Sequence, residues 1–345
     1  MWLSSMKILH VITGMRKAAG TTTFVGNVVQ GLQLAGHDVE VVMSTSGLKK
    51  CDIIHIHGLW GGLLHKAALF AKKNGIPVVW STHGMTAPWA MHHKWWKKLP
   101  AWLLYQRWDL KSAAALHCTT ELEVEWNKTL GFRDCFIVPL GTHLLQSFSQ
   151  TPIHDSNSTL LFVGRIYPVK GLENLIHAWG KVVRRLETKI KNENWKLRIV
   201  GPDQAGHRSE LEHIVEELGL SETVKFVGAK YGEDLDREYD NCQCLVLPSF
   251  TENFGGVIVD AMAHGKPCIA STYTPWKELR ERECGWWVSN EPEALASAIC
   301  EMITLDKTRR CEMGERGRRL VEEKYTWDVV VKAMVKGYKM ITKEH

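Results

Sequence analysis

No stretch of the 345-residue sequence approaches the roughly 18–20 consecutive apolar residues that a bilayer crossing needs, which argues against an integral membrane protein. After Lys7 the apolar run is only Ile8 to Ile12, with His10 inside it, too short for a secretory signal. It reads better as a first strand behind a loose leader, Met1–Ser5. The nine cysteines include no CxxC pair, and Cys242 and Cys244 are the closest two. Scattered through apolar runs, they read as reduced core residues of a cytoplasmic protein. Two familiar phosphate loops are missing as well. Five residues separate Gly14 from Gly20 and no lysine follows Gly20, so there is no Walker loop, and no GxGxxG follows the first strand. There is no internal repeat and no low-complexity segment.

What is present is ordinary globular composition, 45% hydrophobic and 23% charged, in a chain long enough for two domains. Charge is unevenly placed. Residues 1–150 carry 15 basic and 8 acidic side chains and ten of the 16 histidines, whereas the remainder carries 28 and 30. A basic first half points to an anionic partner, whether phosphate, lipid head group or nucleic acid.

Short apolar runs alternate with helical patterns, the signature of parallel sheets covered by helices on both faces. Strands are predicted at 7–13, 38–43, 52–57, 77–81, 114–118 and 136–138, with helices at 22–35 and 63–74. The pattern restarts at 159–164 and continues at 196–201, 223–227, 244–247 and 267–270. Between the halves, Thr142–Ser158 is rich in Ser, Thr, Gln and Asn and reads as a linker. The expectation is α/β: two doubly wound Rossmann-like domains in tandem, 1–145 and 158–325, facing each other across a cleft that is the default ligand site.

Two segments carry anion-binding chemistry. TGMRKAAGTTTF is a basic turn running to Gly20 that opens a helix at Thr21 or Thr22; it presents backbone N–H groups to an anion or simply caps that helix. In the second half, the strand LLFVG delivers Gly164 and Arg165, with Lys170 just before a long amphipathic helix. Arg and Lys at a strand's C-terminal end neutralise a diphosphate well. Further on, SFTENFGGVIVDAMAHGKPCIAS places Glu252 in a loop, Gly255 and Gly256 at a helix start and Asp260 one turn into it. Glycines at the positive end of a helix let a phosphate approach the backbone, and the two carboxylates can address hydroxyls on either side of it.

GRIYPVKGLENLIHA, KLRIVG, VKFVG and TENFGGVIVDAMAHGKP together resemble the donor half of a retaining family 4 glycosyltransferase with the GT-B fold. SMKILHVI, DIIHIHGLW and VVWSTHG are similar to that family's acceptor half, so the resemblance spans essentially the whole chain. It implies that Glu252 meets the donor sugar and that the second acid of the family's E-x7-E motif, here Asp260, meets the ribose. Aspartate is one methylene shorter but still a two-oxygen acceptor. By the same resemblance Arg165 and Lys170 stabilise the departing diphosphate, Phe254, Gly255, Gly256 and Val257 cradle it, and residues just past Gly228 lie near the base. His83 stands near the transferred sugar. No metal and no cofactor is implied beyond a nucleotide-sugar co-substrate, UDP- favoured over GDP-sugar. The terminal helix, 326–345, is expected to pack back on the first domain.

His55 and His57 alternate onto one strand face and could mimic a metal pair, but no carboxylate or cysteine at ligand spacing accompanies them. Met85–Trp108 packs five tryptophans among four Lys/Arg residues and two histidines. Trp95, Trp96, Lys97 and Lys98 suit an interfacial helix or acceptor lid; the alternative is a helix packed on its own domain. Nucleic-acid stacking has no supporting motif. The sequence thus points to a cytoplasmic glycosyltransferase, with the inner face of the membrane as a docking place. It would move a sugar onto a glycan or lipid-linked acceptor in surface polysaccharide or lipopolysaccharide synthesis. A nucleotide-sugar epimerase or hydrolase of the same fold, and a non-catalytic nucleotide-sugar or glycan-binding module, are the rivals.

Overall fold

Short strands of three to six residues form two sheets in a computed structural model, which describes residues 5–14, 20–144 and 158–343. The first sheet contains β1 (Lys7–Ile12), β2 (Asp38–Val42), β3 (Ile53–His57), β4 (Val78–Ser81), β5 (Ala115–Cys118) and β6 (Cys135–Ile137). Its order is β2-β1-β3-β4-β5-β6, with every pairing parallel. The second contains β7 (Thr159–Val163), β8 (Lys196–Val200), β9 (Val224–Gly228), β10 (Cys244–Leu247), β11 (Cys268–Ser271) and β12 (Gly285–Val288). Its order is β12-β11-β10-β7-β8-β9, again all parallel.

Each strand expected from an apolar run lies within one residue of its predicted ends. β12 was not anticipated: it is a four-residue, half-buried edge strand, GWWV, too short to show alternation. Contacts divide the chain into two compact units, residues 1–141 with 327–345, and residues 142–326. The linker assigned to Thr142–Ser158 falls mostly outside the described residues, as does the basic part of the turn before Gly20.

In the first unit one sheet face is covered by the helix Gly20–Leu34 and the terminal helix Trp327–Lys343. Ile8, Ile12, Val25, Val28, Leu32, Val330 and Met334 fill the space between them. The helix Gly62–Asn74 covers the other face, burying Leu64, Ala67 and Ala71 against Leu9, Val11, Ile54 and Ile56. Alternation on β1 therefore sends His10 toward the terminal helix, on the side of Ile8 and Ile12. In the second unit the helix Leu172–Arg185 buries Leu175, Ile176 and Trp179 in a core shared with the sheet.

Candidate active site

Numbered within its own unit, the second sheet runs 3-2-1-4-5-6, so its topological switch lies between β7 and β10. Ligands in such sheets bind outside the carboxyl ends of the strands flanking that switch. The loops that leave β7 and β10 carry Lys170 and Glu252, whose side chains form an ion pair with only 15% and 12% of their surface exposed. Ser249 Oγ donates a second hydrogen bond to the same Glu252 oxygen at 2.8 Å.

Backbone geometry holds this pair in place. Phe250 N donates to Val169 O at 2.9 Å, tying one loop to the other. Gly171, at φ +67°, lies so close to β10 that a Cβ there would stand 2.2 Å from Pro248 O. The left-handed angle and the close approach both demand glycine. Gly255, at φ +79°, caps the helix Gly256–Ala263, and Trp276 Nε1 donates to Phe254 O at 2.5 Å. The first turn of that helix presents N–H groups beside Glu252, a ready anion site.

Arg165 is exposed and its guanidinium donates to Gln204 Oε1 at 2.9 Å. It leaves the same strand end as Lys170 but takes no part in the ion pair. Gly228 ends β9 at φ +85°, followed by the exposed Tyr231. Asp260 sits on the helix after Gly255, and its Oδ1 accepts from Thr142 Oγ1 at 2.8 Å. Burial pushes its carboxyl up to about 6, against the pull of that hydrogen bond and of nearby His264.

In the first unit His83 follows β4 with a left-handed φ of +50°, a conformation rare for a non-glycine residue. Glu123 clamps the turn from both sides: its Oε1 accepts from Thr82 Oγ1 at 2.7 Å and from Gly84 N at 2.8 Å. Burial, outweighing the attraction of Glu123, lowers the His83 pKa to about 4. Behind it lies a polar seam that the sequence reading did not assemble. His57 Nδ1 pairs with His83 Nε2 at 3.0 Å and His57 Nε2 with His10 Nδ1 at 2.8 Å. His55, Ser81, His117 and Tyr338 continue the seam. Parallel register puts His10 opposite His55 and Ile12 opposite His57, the signal that could have revealed it.

His10, His55 and His57 bring ligating nitrogens within 4.8 Å of one another. Two nitrogens bound tetrahedrally to zinc at about 2.0–2.1 Å would stand about 3.3 Å apart. His10 Nδ1 and His57 Nε2 stand 2.8 Å apart, within hydrogen-bond distance.

The tryptophan-rich segment folds into short helices interrupted by a π-helical turn, Trp102–Gln106. Tyr105 and Gln106 pin it to the backbone of Trp60, and Asp109 pairs with His65 at 2.9 Å. Trp95, Trp96, Leu103, Leu104 and Trp108 face outward; Trp96 is 59% and Leu104 77% exposed. The segment is thus packed on its own unit through Trp102, Tyr105 and Gln106, while Trp95 and Trp96 lie outside that core. Lys98 differs from its neighbours, because its ammonium donates to His93 O at 2.8 Å and to Ala90 O.

Two parallel doubly wound sheets, the second bearing a charged pair and a helix N-terminus at its switch point, define an α/β protein of the GT-B class. Residues 146–320 match the family model described as glycosyl transferases group 1, and residues 47–141 a glycosyl transferase 4-like domain. The chain belongs to the group 1 glycosyltransferase family. It is 33% identical over 190 residues to an uncharacterized glycosyltransferase of Methanocaldococcus jannaschii, covering 54% of this chain and 46% of that protein. A D-inositol 3-phosphate glycosyltransferase of Salinispora tropica is 28% identical over 188 residues, covering 53% of this chain and 38% of that one. The chain thus spans about half or less of the length of the curated relatives it matches.

Among solved structures, Anabaena Alr3699/HepE in complex with UDP and glucose superposes with a TM-score of 0.70 at 18% identity, covering 97% of this chain and all of that one. A glycosyltransferase from Rickettsia africae gives 0.76 at 15% identity over 99% of this chain and all of that one. WaaG, a glycosyltransferase involved in lipopolysaccharide biosynthesis, gives 0.68 at 14% over 97% of this chain and 99% of that one.

Proposed function

We propose that the protein is a retaining, metal-independent glycosyltransferase that moves a sugar from a nucleoside diphosphate to a hydroxyl of a glycan or lipid-linked acceptor. The observation that carries this reading is the Lys170–Glu252 pair at the switch point of the second sheet. Lys170 and Arg165 take the diphosphate, with the N–H groups around Phe254 to Val257 completing its cradle. Glu252 accepts from sugar hydroxyls, Asp260 from the ribose, and residues after Gly228 meet the base. His83 is assigned to the transferred sugar.

As the bond from the anomeric carbon to the diphosphate oxygen breaks, the fixed cations take up the charge gathering on the leaving group, so no metal is called for. The acceptor oxygen attacks from the same face, and its proton passes to the departing phosphate oxygen. UDP is the favoured nucleotide, supported by its presence in the Anabaena complexes. Surface polysaccharide or lipopolysaccharide assembly suits the WaaG likeness. The outward tryptophans beside Lys94 and Lys97 suit contact with an anionic membrane on its cytoplasmic face.

Purified protein incubated with a panel of UDP- and GDP-sugars should show a ligand-induced rise in melting temperature, and release of the nucleotide only when an acceptor is supplied. Nucleotide release without acceptor would favour the hydrolase. Binding without turnover on any acceptor would favour a binding module, and binding to none would overturn the proposal.

A further inference from the structure

We propose that the buried imidazoles of the first unit form a one-way hydrogen-bond relay that fixes His83 as the neutral Nε2–H tautomer, leaving its Nδ1 as an acceptor for a sugar hydroxyl. The relay starts at a group with no choice of role. The carbonyl of Val138 can only accept, so His117 Nε2, 2.8 Å away, carries the proton. A neutral imidazole has one donor and one acceptor nitrogen, so His117 Nδ1 accepts, and Ser81 Oγ donates to it at 2.6 Å. With that hydroxyl proton committed, His55 Nε2–H donates to Ser81 Oγ at 2.7 Å. His55 Nδ1 is then an acceptor and takes the Tyr338 hydroxyl at 2.5 Å.

From Tyr338 the same logic runs outward. Its oxygen, having donated, accepts from His10 Nε2–H at 3.5 Å, the longest link and the place where the relay is most easily cut. His10 Nδ1 accepts from His57 Nε2–H at 2.8 Å, and His57 Nδ1 accepts from His83 Nε2–H at 3.0 Å. All five histidines therefore carry their proton on Nε2. Among the described residues nothing donates to or accepts from His83 Nδ1.

The neutrality of these rings follows from burial. His10, His55, His57 and His117 are almost completely enclosed, and desolvation lowers the pKa of every member, that of His10 to about 3. Ser81, Tyr338 and the inner histidines are positioning residues, since they act only through His83. The consequence is selectivity: an acceptor nitrogen rewards a ligand O–H and gains nothing from an ether oxygen or a bare carbon. The identity of that ligand rests on the proposed function, but the direction of the relay does not.

The two are tested separately. Long-range ¹H–¹⁵N spectra of the ¹⁵N-histidine-labelled full chain should show these five rings protonated on Nε2 and unprotonated on Nδ1, unchanged between pH 6 and 8. A His83 signal with the proton on Nδ1 would overturn the relay. Tyr338→Phe should free His10, His57 and His83 to mix tautomers while His55 and His117 stay fixed by Ser81 and Val138. Its kcat/KM should fall about tenfold, the worth of one hydrogen bond, with nucleotide affinity unchanged. An unaltered spectrum in Tyr338→Phe would also overturn it, and the wild-type spectrum decides if that variant does not fold. On the activity side, one mono-deoxy donor should lose its handicap in the His83→Phe variant. If none does while the tautomers stand as stated, the relay survives and the sugar assignment of His83 fails.

Discussion

Lys170 and Glu252, 82 positions apart in the chain, form an ion pair on the loops that leave β7 and β10. The pair holds the Lys170 ammonium in place at the switch point, and on the proposed function an incoming diphosphate would share it with Glu252. A charge held in advance needs no reorganisation at the moment of bond cleavage, which is where electrostatic catalysis gains most.

Arg165→Ala and Lys170→Ala should each lower turnover by about 10²–10³, the scale of losing one preorganised donor. Their stabilities should differ. Arg165 is exposed and its loss should leave the melting temperature unchanged, whereas Lys170→Ala strands a partly buried Glu252 carboxylate and should lower it. Steady-state kinetics and thermal melting on both variants check this; near-normal kcat in either would remove that residue from the clamp.

Asp260→Asn should weaken free-nucleotide binding roughly tenfold or more, because a hydrogen bond to a charged acceptor contributes about 1.5–3 kcal/mol. Asp260→Glu should be tolerated. The pH dependence has a definite sign. With its carboxyl raised to about 6, ionising Asp260 costs stability as pH rises from about 4 through 6. A nucleotide that prefers the carboxylate binds more weakly as pH falls below about 6. Calorimetric titration from pH 5 to 8 should show that fall in wild type and a flat profile in Asp260→Asn.

The first unit should unfold readily in mild acid. A histidine whose folded pKa is depressed adds stability above its unfolded value near 6.5 and loses it as pH falls toward the folded one. For His10, held near 3, the full change is roughly 5 kcal/mol at about 1.4 kcal/mol per tenfold in protonation. His55, His57, His83 and His117 shift the same way. Melting followed from pH 7.5 to 4.5 should drop steeply below 6.5, and His10→Phe should flatten the drop. A melting temperature constant to pH 5 would contradict the depressed values.

Because Trp95 and Trp96 are exposed, changing either to Ala should leave the melting temperature within a degree or so. The protein should sediment with anionic liposomes and be released by high salt, since the screening length falls from about 10 Å at 0.1 M to about 3 Å at 1 M. Lys94→Gln with Lys97→Gln should weaken that binding. Lys98 is left alone because its ammonium holds the carbonyls at 90 and 93. Absence of liposome binding at low salt would limit this face to acceptor contact.

The fold was legible because its strands are continuous apolar runs, buried on both faces, such as IIHIH and TLLFV. The loop positions of Lys170 and Glu252 and the helical position of Asp260 were legible because each lies within a few residues of a glycine at a strand end or helix start. The histidine seam was not. His10, His55, His117 and Tyr338 come from three strands and a helix far apart in sequence, and only strand register and helix docking bring them together. The outcome for Trp95 and Trp96 was equally hidden, since an amphipathic pattern does not say which neighbour, protein or membrane, meets its apolar side.

The terminal helix has a consequence for how the chain comes off the ribosome. Residues 142–326 include every strand of the second sheet, so that unit can close before the helix Trp327–Lys343 docks. The first unit lacks Val330, Met334 and Tyr338 until then, and its core stays open on one side. Of the two units, the one whose strands are synthesised first is therefore completed second. A chain truncated before Tyr338 should carry a protease-resistant second unit and a first unit open to cleavage.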